Sequence, residues 1–251
     1  MIYITGDTHS NVKRFNSRNF PEQSEMTRDD HVIICGDFGL VWEAGAGSKN
    51  EDYWLDWLEE KSYTTLFIDG NHENFDRLNS YPVKEWHGGL VHEIRPHVLH
   101  LMRGQVFEID GKKIFTFGGA KSHDIQAGIL DPEDPDFKRK KKLLDRDYAL
   151  YRIKNVTWWE AETAAREEMD EGLNNLKKHG YKVDFIITHC APSSLHVRFN
   201  NGKHEPDQMT EYLEQVRSLT DYGKWYFGHY HDEIKVSDKE ELVYKSIIRI
   251  N

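Results

Sequence analysis

The chain has 251 residues, a formal charge of −10 at pH 7, and 30% charged and 12% aromatic residues. That is enough chain to bury one α/β core, the composition suits a soluble globular protein rather than a disordered one, and no apolar run approaches the ~20 residues needed to span a bilayer. The negative balance argues against a general duplex-DNA binder, which draws on excess Lys and Arg, but nucleotides and short nucleic acids stay open because bound cations reverse a local potential.

In chain order, Ile2–Thr5 reads as a first strand, and with no basic stretch or cleavage site it is not a signal peptide. His31–Cys35 is a second buried strand. Aromatic and apolar residues at helical spacing over Tyr53–Leu58 predict a helix, and Thr64–Ile68 is a third strand. This alternation predicts βαβ units and a largely parallel sheet covered on both faces. From Val91 the rhythm changes. Val98–Met102, Gln105–Ile109 and Lys113–Phe117 are closely spaced strands, and Asp110-Gly111 is a hairpin turn between the last two. An irregular insert follows over about 121–156, with an acidic stretch at Asp131–Asp136 and a basic run at Lys138–Lys142. Trp158–Lys178 predicts one long amphipathic helix, capped by Thr157 and stopped by Gly180. A strand at Val183–Thr188, a helix over Asp207–Ser218, a strand at Lys224–Phe227 and a closing strand over Leu242–Ile250 complete the pattern. No repeat, linker or low-complexity tract interrupts it, so one domain over 1–251 is expected, with a second sheet built from the hairpins and the C-terminal strands. Cys35 and Cys190 each end an apolar run and read as small buried residues, which argues against a disulfide framework and makes the cytoplasm the expected compartment.

Five of these strands stop at residues of metal-binding type. They end in Gly6-Asp7-Thr8-His9, Gly36-Asp37, Asp69-Gly70-Asn71-His72-Glu73, Thr188-His189 and Gly228-His229-Tyr230-His231. Carboxyl ends of parallel strands converge on one edge, where ligands bind. On an extended segment, Asp7 with His9, and His229 with His231, would each project to one side, because the side-chain period is two. Glycines at 6, 36, 70 and 228 would let the backbone turn beside an ion. Singly, a Gly-Asp after a strand is a turn and Asn71 is a fair helix cap. Jointly, so many polar endings on one edge need cations to offset their burial. The mixture of imidazole, carboxylate and carboxamide suits Mn²⁺, Fe or Zn²⁺ better than an all-oxygen Mg²⁺ or Ca²⁺ site.

This motif series closely resembles the calcineurin-like metallophosphoesterase superfamily, from residue 6 to residue 231. The resemblance implies a four-layer αββα sandwich with two metals at its edge, Mn first among the candidates. One metal would be held by Asp7, His9, Asp37 and His231, and the other by Asp37, Asn71, His189 and His229, with Asp37 bridging. It implies hydrolysis of a phosphomonoester or phosphodiester, of a nucleotide or short nucleic acid, by a metal-bridging hydroxide, with His72 as the general acid. Protein phosphatases of the superfamily carry an Asp-Arg pair where this chain has Leu40 and Val41, which counts against a phosphoprotein substrate and leaves Glu73 or Asp69 as candidate partners of His72. The rival reading, a protein-interaction scaffold on the same fold, would be expected to lose ligands or the acid, and this sequence keeps them all.

Outside the motifs, Gly118–Asp124 could form a loop facing the metals, with Lys121 or His123 touching substrate. The basic run at Lys138–Lys142 reads as a solvated face beside its acidic neighbour. Trp42, Trp158 and Trp159 read as packing residues before base-stacking ones. The remaining histidines, at 31, 87, 92, 97, 100, 179, 196 and 204, have no motif context.

Overall fold

The computed structural model describes residues 1–200 and 202–250. The first part of the chain contributes β1 (Ile2–Thr5), β2 (His31–Ile34), α1 (Lys49–Glu59), β3 (Thr64–Phe67), α2 (Phe75–Leu78), β4 (Val83–Trp86), β5 (Gly89–Arg95) and β6 (Val98–Leu101). The hairpin β7 (Gln105–Ile109) and β8 (Lys112–Phe117) leads into the insert, which holds β9 (Ile129–Leu130), α3 (Phe137–Arg146) and β10 (Arg152–Ile153). Then come α4 (Arg166–Lys178), β11 (Lys182–Thr188), α5 (Ser193–Phe199), α6 (Gln208–Leu219), β12 (Asp221–Phe227), β13 (Ile234–Lys235), β14 (Glu240–Leu242) and β15 (Ile248–Ile250).

The strands form a seven-stranded sheet, ordered β15-β1-β2-β3-β6-β5-β4, and a six-stranded sheet, ordered β13-β14-β12-β11-β8-β7. β1, β2 and β3 run parallel side by side in the first, and β11 and β12 run parallel in the second. Alternation within each strand divides the core into layers. Ile2, Ile4, Ile33 and Leu66 from the first sheet pack against Phe107, Ile114, Phe185 and Ile187 from the second. On the outer face of the first sheet, Tyr3, Val32 and Ile34 pack against Leu55 and Leu58 of α1. On the outer face of the second, Phe115 and Ile186 pack against Leu176 of α4 and Leu213 of α6. Each buried Ile, Leu or Phe is worth about 1.5–3 kcal/mol, so the middle layer is the main force holding the two sheets face to face. The result is the αββα sandwich expected from the sequence.

Local chemistry explains the ends of these elements. Ser48 and Glu51 form a capping box at the start of α1, and Asp207 caps α6 through the Thr210 N–H. Asp110 and Gly111 adopt φ of 51° and 72°, the left-handed pair that a two-residue hairpin turn requires.

Three expectations are corrected. The helix predicted over Trp158–Lys178 is a 3-10 turn at Glu160–Glu162 followed by α4 from Arg166. Trp159 belongs to the core outside the first sheet and Met169 to the core outside the second, and one straight helix cannot serve both. The closing strand predicted over Leu242–Ile250 is two strands: β14 pairs with β12 in the second sheet, while β15 pairs antiparallel with β1 in the first. The three strands that follow Val91 are likewise shared out, with β6 beside β3 and the β7–β8 hairpin beside β11. Among the described residues, no helix is long and apolar enough to cross a membrane. Cys35 and Cys190 are both buried and free.

Candidate metal centre

Because both sheets present parallel strands in the same sense, the loops after β1, β2 and β3 meet those after β11 and β12. The N–H groups of Thr8 and His9 both donate to Asp37 O, at 3.1 and 2.8 Å, and Gly228 N donates to His189 O at 3.0 Å. These loops are not extended, as the period-two argument assumed. His9, Asp37, His229 and His231 have φ of 44°, 46°, 71° and 52°. A non-glycine residue in this region is held there at a cost of about 1–3 kcal/mol, and such strain clusters at functional sites. The glycines serve mostly by lacking a side chain. A Cβ at Gly70 would lie 2.1 Å from Asp37 Oδ1, and one at Gly228 would lie 2.3 Å from Asp7 Oδ1; Gly36 combines such a close approach with a φ of +89°.

Asp7, His9, Asp37 and His231 each offer one ligand atom, all within 4.8 Å of one another. His9 Nε2 and His231 Nε2 face each other at 2.9 Å. His231 Nε2 is 3.1 Å from Asp7 Oδ2, and His9 Nε2 is 3.6 Å from Asp37 Oδ2. Asp7 Oδ2 is nevertheless a buried oxygen with no well-directed hydrogen bond. Two imidazole nitrogens and two carboxylate oxygens aimed at one point, one of them unsatisfied, suit a divalent cation.

A second convergence lies alongside. His189 Nε2 is 3.4 Å from both Asp37 Oδ1 and Asn71 Oδ1, and the His229 ring stands 5.0 Å from the His189 ring, centre to centre. His189 Nδ1 donates to Cys35 O at 2.8 Å. A carbonyl can only accept, so the proton sits on Nδ1 and the Nε2 lone pair is left facing Asn71 and Asp37, as a metal ligand requires. Asp37 therefore turns one oxygen to each convergence.

The electrostatics agree. Burial pushes the Asp7 carboxyl up, but the neighbouring His231 and His189 rings and the His229 N–H outweigh it and keep Asp7 below the usual carboxylate range. Burial lowers His9 despite Asp37 and Asp7, and lowers His229 strongly, helped by His189 and His123. Neutral imidazoles are the metal-binding form. His231 differs: its contact with Asp7 raises it against a smaller effect of burial.

His72 sits at the rim of this centre. Its N–H donates to Asp37 Oδ1 at 2.8 Å, and its ring lies 5.0 Å from that of His9. Burial lowers its pKa, opposed by Asp37 and assisted by Arg152. Neither residue expected to partner it does so. Glu73 accepts from Phe38 N at 2.7 Å and Gly70 N at 3.1 Å, stitching the second and third loops together. Its carboxyl is pushed well up by burial, then by Asp37 and Asp69. Asp69 is held below its usual range, against burial, by Arg103 and His100. The side chain that does reach His72 Nε2 is Arg152, at 3.4 Å.

A sequence model of the calcineurin-like phosphoesterases matches residues 1–233. The chain belongs to the calcineurin-like phosphoesterase family. It is 22% identical over 232 residues to lariat debranching enzyme A of Xenopus laevis, an alignment covering 87% of this chain and 38% of that protein. It is 23% identical over 210 residues to the lariat debranching enzyme of Danio rerio, covering 78% and 32%, and 21% identical over 232 residues to that of Gallus gallus, covering 87% and 38%. The chain thus spans less than two fifths of the length of these curated relatives.

In this member of the family the centre opens into a cavity of ≈ 350 Å³, walled by His72, His123, Asp124, Lys203, His204 and Tyr230 among others. His123 stacks on His204 at 3.8 Å and lies 5.4 Å from His229, so the loop after β8 does face the centre. Lys121 lines other cavities, behind that loop. Ser122 Oγ accepts from Asn71 Nδ2 at 3.3 Å and donates to Glu162 at 2.7 Å, which ties a candidate ligand to the insert. Ser122 and Asp124 belong to the Gly118–Asp124 loop expected to face the metals, although Lys121 and His123 were the residues singled out there; Lys203, His204, Arg152 and Glu162 carried no signal in the sequence, because they come from loops, a two-residue strand and a 3-10 turn with no periodicity. Trp42 packs on the His72 ring at 5.5 Å and on Trp159 at 5.6 Å, in the packing role expected of it.

Proposed function

We propose that the chain is a phosphodiesterase that uses two divalent metal ions and acts on a nucleotide or short nucleic acid. The observation that carries the reading is Asp37, with one oxygen turned to His9 and the other to His189. One ion would be held by Asp7, His9, Asp37 and His231, and the other by Asp37, Asn71, His189 and His229. The donor mixture favours Mn²⁺, with Fe or Zn²⁺ as alternatives. Bound there, such ions polarise phosphoryl oxygens and make water a nucleophile at neutral pH.

The chain's own residues do the rest. Hydrogen bonds between the loops that follow the strands hold these side chains together. His72, held through its N–H on Asp37, keeps a ring nitrogen on the cavity side, where it can hold a proton for the leaving oxygen. Leu40 and Val41 are fully buried core residues that offer phosphate nothing, which speaks against a phosphoprotein substrate. The curated relatives are named as lariat debranching enzymes, which favours a phosphodiester over a monoester.

The test is His72→Ala with a dinucleotide, whose alkoxide leaving group needs a proton. Turnover should fall by about 10²–10⁴-fold while the metal content is unchanged. Undiminished turnover would remove His72 from its role.

A further inference from the structure

We propose that Arg152, carried by the insert, is a further substrate-binding residue that grips a phosphoryl oxygen beside His72. The proposal rests on the phosphoesterase reading of the metal centre and extends it to a residue outside the five strand ends.

The backbone places Arg152 firmly. It opens β10, which pairs with β9 in the register Arg152 with Ile129, and its N–H donates to Gly128 O at 3.3 Å. Asp124 then fixes the guanidinium. Arg152 Nε donates to Asp124 Oδ1 at 2.9 Å, and Nη2 donates to Asp124 Oδ2. This two-pronged contact sets the plane of the fork. Nη1 is directed at Thr157 O at 3.4 Å, and Nη2 also reaches His72 Nε2 at 3.4 Å.

That last contact marks the site. At 3.4 Å this contact is at the long limit of hydrogen bonding, a weak hold on the guanidinium. A phosphoryl oxygen carries charge, and a charge-assisted bond to arginine is shorter and roughly twice as strong, so substrate would displace the imidazole. The side chain is only 14% exposed, so little bulk water competes with the ligand. Asp124 and His72 both wall the cavity that also contains Asp37 and Asn71; Arg152 is not itself in that lining and borders the cavity through its contacts with these two residues.

A second arginine beside the Asp7 loop is already committed. Arg14 lies behind the centre and donates to Thr5 Oγ1 and to the carbonyls of Gly6, Asp7 and Tyr244. Lys203 lines the cavity as well, but its ammonium is a point charge on a flexible stem, whereas Asp124 holds the Arg152 guanidinium in one plane.

The experiment compares wild-type, Arg152→Gln, Arg152→Lys and Asp124→Asn proteins, each loaded with Mn²⁺ and checked for metal content. Two quantities are read: KM and kcat for a dinucleotide, and the affinity for inorganic phosphate by calorimetry. Arg152→Gln should raise KM and weaken phosphate binding by about 10- to 100-fold at unchanged metal content, the range for losing one charge-assisted hydrogen bond. Arg152→Lys should recover part of the loss, and Asp124→Asn should fall between wild type and Arg152→Gln. Unchanged KM and phosphate affinity in Arg152→Gln would overturn the proposal, as would a fall in kcat alone, which would mean that Arg152 acts only through His72. If the wild type fails to hydrolyse the dinucleotide, the phosphodiesterase reading fails, and the phosphate titration still decides the role of Arg152.

Discussion

Replacing Gly36 by alanine should unseat His189 and empty half of the metal centre. Gly36 has a φ of +89°, and an added Cβ would lie 2.1 Å from His189 Nδ1 and 2.4 Å from its Cγ. The ring cannot simply retreat, because it is fully buried and Nδ1 donates to Cys35 O at 2.8 Å. Left-handed backbone costs an alanine about 1–2 kcal/mol. Breaking the buried hydrogen bond adds about 1–3 kcal/mol. At about 2–4 °C per kcal/mol for a chain of this size, the metal-free protein should melt roughly 4–20 °C below wild type. His189 Nε2 would also leave Asn71 and Asp37, so metal content should drop from two ions per chain towards one. Thermal melting of the chelated protein and elemental analysis after Mn²⁺ loading measure the two effects. A Gly36→Ala protein with wild-type melting and two bound ions would refute the reasoning.

Three further predictions concern the surroundings of the centre. Burial raises the Glu162 carboxyl to about 7, against hydrogen bonds from Ser122. A raised carboxyl gives stability that is present below the unfolded value and lost as pH rises through about 7. Glu162→Gln, which mimics the protonated form, should therefore gain on wild type by about 2–3 kcal/mol between pH 4.5 and pH 8, read by denaturant unfolding at each pH. Glu73→Ala should cost about 2–4 kcal/mol by orphaning the Phe38 and Gly70 N–H groups, read by denaturant unfolding of the metal-free protein. Exchanging Arg139, Lys140 and Lys141 for serine should alter kcat/KM less than about twofold, because these cations are already paired with Asp136, Asp134 and Asp145 at the surface; a larger loss on a dinucleotide would give the basic run a part in substrate capture.

Much of the centre was legible because its residues follow strands. Apolar runs such as His31–Cys35 and Val183–Thr188 are easily seen, and each must stop where the polar side chains begin. Placing those stops on one edge needed only the rule for parallel sheets. What the pattern could not show was the backbone at the stops: the left-handed φ of His9, Asp37, His229 and His231 is set by loop-to-loop hydrogen bonds between segments far apart in sequence. The insert was illegible for a related reason. Arg152 and Asp124 are 28 positions apart, and nothing in either neighbourhood announces their pairing or their approach to His72. The division of Trp158–Lys178 into a turn and a helix was hidden in the same way, because its apolar spacing does not say that Trp159 and Met169 serve different cores.

The most direct test of the account is metal-dependent hydrolysis itself. The protein is stripped with a chelator, its metal content is counted, and hydrolysis of bis-p-nitrophenyl phosphate and of p-nitrophenyl phosphate is followed as Mn²⁺ is returned. The account predicts no turnover in the stripped protein, recovery that saturates at about two ions per chain, and the diester as the better substrate. No hydrolysis of either ester with two ions bound per chain would contradict it.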